Sequence, residues 1–298
     1  MRRELPRIQP FSLLECHRTG QNDPVDHEFP SLVASDVDGT LIDNDERITA
    51  RTRKAASAVV ESGTPFVLAT GRPPRWLDPV VDGLGFAPLA VCANGAVLYD
   101  AEADRVLEAA MLSVETLAWI ADLIEYELPG AGLAAERVGS TAHDTATPQF
   151  VSAPGYEHAW LNPDHVEMAP EDILSAPAIK MLIRIPGASS AAMVATLRPL
   201  VGERADLTYS TNNGLIEVSA PGVTKASGLR LIARRLGVSE SGVLAFGDMP
   251  NDIAMLAMAG HGVAMENAHP DTKAAADEVT ATNSDDGVAR VLERFWVN

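Results

Sequence analysis

Two carboxylates, Asp36 and Asp38, stand close together in the stretch Ser-Leu-Val-Ala-Ser-Asp-Val-Asp-Gly-Thr-Leu-Ile-Asp at residues 31–43. Acids spaced i and i+2 repel each other unless a cation or a proton relieves them. Hard divalent ions such as Mg²⁺ prefer such oxygens. Gly39 lets the chain turn sharply and present backbone N–H groups to an anion. Leu32, Val33 and Ala34 precede the pair as a short apolar run, the pattern of a strand buried on both faces. In open α/β sheets, ligands bind at the carboxyl ends of such strands. A structural alternative for the same residues is an Asp-rich turn closed by Asx hydrogen bonds, without chemistry.

Further polar residues follow apolar runs or open helices downstream. Thr70 stands in Leu-Ala-Thr-Gly-Arg after the run Phe66–Ala69, and Lys225 stands in Gly-Val-Thr-Lys. Gly247-Asp248-Met249-Pro250-Asn251-Asp252 follows the run 243–246. Together with Asp-Val-Asp-Gly-Thr, these resemble, in order, the four motifs of the haloacid dehalogenase-like (HAD) phosphohydrolases. Asn94-Gly95-Ala96, Asn251-Asp252-Ile253-Ala254-Met255-Leu256, Gly262-Val263-Ala264-Met265 and Asp286-Gly287-Val288-Ala289 resemble the Cof-type sugar-phosphatase branch of that superfamily. The resemblance covers residues from about 30 to 298. Two positions depart from it: Ala226 stands where a Gly usually follows the motif lysine, and Glu266 where a Gly is usual.

Phosphoryl transfer from a monoester needs a nucleophile, neutralisation of the phosphate and a proton for the leaving oxygen. The resemblance implies that Asp36 is the nucleophile and forms an aspartyl-phosphate that water hydrolyses. It implies that Asp38 is the acid and base, with its backbone carbonyl on the metal. Thr70 is then expected to hydrogen-bond the phosphate, with the N–H groups around Gly39 and Gly71. Lys225 is expected to hold the anion and screen Asp36 from it. Mg²⁺ is the implied cofactor, with Asp36, Asp38 and Asp248 at the metal and Asp252 reaching it directly or through water. Asn251 is expected to orient Lys225 or the phosphate. Arg72 and Asn94 are expected either to touch substrate or to support their loops.

The elements that must position these groups alternate. Strands and helices take turns over residues 30–112 and again over 221–298, as in right-handed βαβ crossovers of a parallel sheet. The first helix spans 48–61, stopped at Gly63. A second runs from Pro73 and Pro74 to about Leu84. Residues 97–99 and 105–107 read as a hairpin. Between residues 113 and 220 the pattern changes. Ser113 can cap a helix carrying Leu117, Ile120, Ile124 and Leu128 on one face. Residues 141–172 read as loop, 179–185 as a strand, 190–200 as a helix, and 207–210 with 215–218 as paired strands. The fold class is therefore α/β: a Rossmann-like parallel-sheet HAD core with an inserted α+β segment, 113–220. The resemblance implies that this insert is a cap that chooses the substrate. Toward the C-terminus, Lys225–Leu236 reads as a helix ended by Gly237, and Asp286 as the cap of a last helix, 287–295. Residues 1–29 lack periodicity and read as a flexible extension.

Composition narrows the partners. Hydrophobic residues make up 46% and charged residues 21%, as in ordinary globular proteins. A net charge of −18 disfavours nucleic acids and anionic membranes as partners. An anionic substrate must then be drawn by local positive sources: a metal, Lys225 and helix N-termini. The expected partner is a small phosphorylated metabolite, and the expected assembly a monomer or weak homodimer. No run of about 18 apolar residues is present, and the expected location is the cytoplasm. Cys16 and Cys92 make no disulfide framework and read as two unrelated thiols. A phosphomutase with the same aspartyl-phosphate, and a non-catalytic phosphate- or metal-binding regulator, are the competing readings. A Rossmann dehydrogenase is excluded, because no Gly-x-Gly-x-x-Gly follows a predicted strand.

Overall fold

The computed structural model describes residues 29–159, 165–209 and 211–297. The extension read at residues 1–29 lies outside them except for Phe29. Short runs bounded by Gly, Pro or polar residues become strands. In chain order, β1 is Leu32–Ser35, β2 Phe66–Ala69, β3 Leu89–Cys92, β4 Val97–Asp100 and β5 Arg105–Ala109. The middle of the chain supplies β6 (Gly132–Glu136), β7 (Phe150–Ser152), β8 (His165–Glu167), β9 (Lys180–Arg184), β10 (Asp206–Thr208) and β11 (Leu215–Ser219). The last three are β12 (Val243–Gly247), β13 (His261–Ala264) and β14 (Glu278–Val279). The helices are α1 (Ala50–Glu61), α2 (Asp78–Leu84), α3 (Val114–Glu127), α4 (Pro170–Ile173), α5 (Ser190–Val201), α6 (Lys225–Leu236), α7 (Ile253–Met258), α8 (Pro270–Ala275) and α9 (Gly287–Trp296).

Strands from both ends of the chain form one eight-stranded sheet, in the order β14-β13-β12-β1-β2-β3-β4-β5. β14 through β3 run parallel, and the β3–β4–β5 edge is antiparallel. β1 lies at the centre: Leu32–Ser35 pair with the run 243–246 on one side, and residues 33–35 with 66–68 on the other. All four β1 residues are buried, because helices such as the α1–α9 and α6–α7 pairs cover the sheet. That register brings the segments after β1, β2 and β12 out side by side at the carboxyl edge, where α/β sheets bind ligands.

The segment 113–220 carries a second, six-stranded sheet, ordered β10-β11-β9-β6-β7-β8 and antiparallel except for β7–β8. Its own apolar cluster joins Leu117, Ile120 and Ile124 of α3 to Met193 and Leu197 of α5 and to Met181 and Ile183 of β9. Three of its strands differ from the sequence reading. β6, Gly-Leu-Ala-Ala-Glu, has no β-branched residue and sits between β7 and β9, so it shows neither propensity nor alternation. β7 and β8 fall within the stretch read as loop; each has only three residues, and β8 is an exposed edge strand. The helix read from Pro73 to Leu84 is broken as well. It forms a 3₁₀ turn, Pro74–Trp76, and restarts as α2 with Pro79 in its first turn, where no N–H bond is needed. No helix among the described residues is long and apolar enough to cross a membrane.

Candidate active site

β1 delivers Asp36, whose backbone N–H donates to the Phe246 carbonyl on β12 at 3.0 Å. The chain then makes a widened turn, Val37–Leu41, with Gly39 at φ 74°. A Cβ at Gly39 would collide with the Asp248 carboxylate, so only glycine lets the turn close over that acid. Thr40 Oγ1 donates to Asp248 Oδ1 at 3.0 Å. Asp252 ends the 3₁₀ turn Pro250–Asp252, and its Oδ2 accepts from the backbone N–H groups of Asp248 (3.1 Å) and Met249 (3.0 Å).

Lys225 opens α6, fixed by a capping box in which Thr224 and Ser227 satisfy each other's backbone N–H groups. Gly95 has φ 107°, and a Cβ there would strike the Thr224 carbonyl, so the α6 start rests directly on the turn after β3. Lys225 is 1% exposed. Its Nζ lies 2.7 Å from Asp36 Oδ1 and 2.7 Å from Asp252 Oδ1.

Oxygens of Asp36, Asp248 and Asp252 all lie within 4.8 Å of one another. Burial pushes the Asp36 carboxyl well above the usual aspartate range, with Asp252 adding to the effect and Lys225 opposing it. Asp248 is pushed up to about 6, by burial first and then by Asp252. Burial alone would lower the Lys225 ammonium, but Asp252 and Asp36 outweigh it and hold the group above the ordinary lysine range. One ammonium therefore faces three carboxylates, and burial makes two of them, Asp36 and Asp248, reluctant to shed their protons. An all-oxygen donor set left short of positive charge fits a hard divalent ion. The Asp38 carboxylate is not part of this group. It is 56% exposed and held by the Arg72 guanidinium, Nη2 to Oδ1 at 2.6 Å and Nε to Oδ2 at 3.0 Å.

Thr70 leaves β2 fully buried, and its Oγ1 accepts from the Arg72 backbone N–H at 3.0 Å. That bond leaves the hydroxyl hydrogen for another acceptor. Asn94, in the left-handed conformation at φ 57°, spans the two sheets. Its Nδ2 donates to Glu217 Oε2 at 2.7 Å, and its Oδ1 accepts from Asn251 Nδ2 at 3.0 Å. Asn251 thus turns its amide toward Asn94 instead of Lys225. Gly71 offers its carbonyl to Lys180 Nζ at 2.9 Å, and Lys180 Nζ also donates to Glu217 Oε1 at 2.7 Å. Arg75 and Glu136 form a second buried ion pair between the sheets.

These four charged residues escaped the sequence reading. Lys180 opens and Glu217 interrupts an apolar strand, and that is the signal they carried: a charge in a buried run needs a partner. A small cleft separates the sheets, with Gly71, Trp76 and Ala93 on one wall and Glu136, Phe150, Lys180, Leu182 and Glu217 on the other.

A family model described as haloacid dehalogenase-like hydrolase matches residues 33–292. The 5-amino-6-(5-phospho-D-ribitylamino)uracil phosphatase YcsE of Bacillus subtilis (strain 168) is 29% identical over 266 residues, 89% of this chain and 95% of that protein. The putative phosphatase YxeH of the same organism is 28% identical over 269 residues, 89% of this chain and 97% of that one. Among solved structures, a haloacid dehalogenase-like hydrolase from Bacteroides thetaiotaomicron matches with a TM-score of 0.70 at 25% identity, over 89% of this chain and 99% of that one. The HAD subclass IIB sugar phosphatase BT4131 shares the fold, with a TM-score of 0.74 at 24% identity over 90% of this chain and all of that one (100%).

Proposed function

Because the chain belongs to the haloacid dehalogenase-like hydrolases, as a phosphatase of the Cof-type branch, we propose that it hydrolyses small phosphomonoesters through an aspartyl-phosphate on Asp36. One observation carries the reading: Lys225 Nζ bridges Asp36 and Asp252, 2.7 Å from each, in a buried pocket shared with Asp248. Asp36, Asp248 and Asp252 are the carboxylates that would hold Mg²⁺, which when bound neutralises the phosphate and favours the ionised acids.

In the first step a carboxylate oxygen of Asp36 attacks phosphorus, and the bond from phosphorus to the leaving oxygen breaks. Asp38 gives that oxygen its proton. Water then attacks the aspartyl-phosphate, Asp38 takes the water's proton, and inorganic phosphate leaves with Asp36 restored. Lys225 keeps Asp36 from repelling the incoming dianion. The Thr70 hydroxyl and the N–H groups of the turns at Gly39 and Gly71 hold the phosphate oxygens. Arg72 positions Asp38 through its forked contact. Residues 113–220 act as the cap: their sheet closes over the carboxyl edge and keeps bulk water out, leaving room for the single water that hydrolyses the intermediate. A small phosphorylated metabolite is thus the substrate, and phosphorylated sugars and polyols are the first class to assay, as the relatives' names include a phosphoribityl ester.

The test is turnover of p-nitrophenyl phosphate and a panel of sugar and polyol phosphates by the purified full chain, with Mg²⁺ or with EDTA. Metal-dependent release of inorganic phosphate is expected. Turnover insensitive to EDTA, or none on the whole panel, would refute the proposal. Transfer of the phosphoryl group to a sugar hydroxyl in preference to water would favour a mutase.

A further inference from the structure

The inserted sheet turns a row of polar and apolar side chains toward the phosphate edge. Phe150 on β7 pairs with Glu136 on β6, and Glu136 pairs with Lys180 on β9, so these three share one sheet face. Leu182, two residues along β9, pairs with Glu217 on β11 and extends the same face. Opposite them stand Gly71, Trp76 and Ala93 of the core. Any leaving group attached to a phosphate at Thr70 and Lys225 must meet this face.

The charges on it are balanced. Glu217 is 5% exposed and Lys180 4% exposed, and they pair at 2.7 Å, while Glu136 pairs with Arg75. Neither cation is left for a second anion, and both carboxylates line the cleft. Glu217 Oε2 is also tied to Asn94, and Lys180 to the Gly71 carbonyl beside Thr70. An anionic group entering here would have to pull Lys180 from Glu217 or lie against two buried acids. A hydroxyl can donate to a spare carboxylate lone pair, and it can accept the third Lys180 hydrogen.

We propose that the Lys180–Glu217 pair is a charge filter on the leaving group: it admits phosphomonoesters of uncharged alcohols and rejects those carrying a second anion. The inference rests on the phosphatase reading above and names the residues that set its selectivity.

The experiment compares kcat/KM for ribitol 5-phosphate and 3-phosphoglycerate in the wild type, Glu217→Gln and Lys180→Met, with p-nitrophenyl phosphate as a monitor of chemistry. The wild type is expected to favour ribitol 5-phosphate by roughly tenfold or more, since like-charge juxtaposition in a buried site is strongly disfavoured. Glu217→Gln leaves Lys180 without its counter-charge and should shrink that ratio by about tenfold, whereas Lys180→Met should widen it. A merely structural pair would lower all three substrates together. A ratio unchanged within about twofold in both folded variants, or a wild type that prefers 3-phosphoglycerate, overturns the filter. Far-UV circular dichroism checks folding; if neither variant folds, the wild-type preference alone decides. A wild type inert toward p-nitrophenyl phosphate with Mg²⁺ marks instead the failure of the phosphatase reading, and the filter falls with it.

Discussion

Replacing Lys225 by Met should destabilise the metal-free protein more than almost any other single change. Met matches Lys closely enough in length and volume that little cavity forms, so the loss is electrostatic. Lys225 is 1% exposed at its side chain, Asp252 is 0% and Asp36 is 6%, so water cannot take over the lost pairing. Breaking a buried pair costs about 3–5 kcal/mol, a large part of a typical folding free energy of roughly 5–15 kcal/mol. At about 2–4 °C per kcal/mol, Tm in EDTA should fall by roughly 6–20 °C. The deficit should also depend on pH. Without the ammonium, which now opposes the effect of burial, the Asp36 and Asp248 carboxyls rise further above their unfolded values, and the folded state binds more protons than the unfolded one. Stability is then lost as pH rises, so the Tm deficit should be larger at pH 8 than at pH 5. Mg²⁺ should raise Tm more in the variant than in the wild type, because the acids then face no competing ammonium. Differential scanning calorimetry at both pH values, with EDTA and with Mg²⁺, measures all three effects. A variant within about 2 °C of wild type in EDTA at pH 8 would show that Lys225 is not the counter-charge of this cluster.

Asp38→Asn should slow hydrolysis of alkyl phosphates by about 10²- to 10⁴-fold, yet largely spare p-nitrophenyl phosphate, whose leaving group needs no proton. Equal losses on both substrates in steady-state kinetics would remove Asp38 from the acid's role. Asp248 is raised from 3.8 to about 6, so the folded state keeps a proton that the unfolded chain gives up. Its contribution is therefore present below pH 4 and lost as pH climbs through about 6. In EDTA the wild type should lose about 3 kcal/mol relative to Asp248→Asn across that window, by urea midpoints; a flat difference would contradict the shift. Gly95→Ala puts a Cβ against the Thr224 carbonyl at a backbone angle that disfavours side chains. It should cost roughly 1–3 kcal/mol and lower kcat by displacing Lys225, and an unchanged urea midpoint with unchanged kcat would refute that path.

The larger sheet was readable because parallel strands covered on both faces are continuous apolar runs, and because Gly and Pro punctuate them. Helix α6 was readable to the residue, with Thr224 before it and Gly237 after it. The six-stranded sheet was only partly readable: β6 draws its place from neighbours on both sides, and β8 has no buried face to impose a pattern. At the site, Asp36, Asp248, Asp252 and Lys225 come together from motif positions. The partners of Asn94 and Gly71 were invisible, since Glu217 and Lys180 lie 123 and 109 positions away. Nothing local in a sequence says which buried glutamate meets which asparagine. Asp286 shows the reverse error. Read as a helix cap, it adopts a left-handed backbone at φ 58° and makes no side-chain cap; its carboxylate accepts from Thr49 and Thr52 and so ties α9 to α1.

The central place of β1 has a consequence for the chain as it is made. Its partner on one side, β2, follows closely, but β12 is among the last strands to be synthesised, and the Thr40–Asp248 bond joins residues 208 positions apart. At about 5–20 residues per second, a ribosome takes roughly 10–40 s to cover that interval. Until then one flank of a strand destined for complete burial has no hydrogen-bonding neighbour, the condition under which nascent chains pair with the wrong strand or with each other. Yield on overexpression should therefore respond to translation speed and to chaperone supply, even where the finished enzyme is stable.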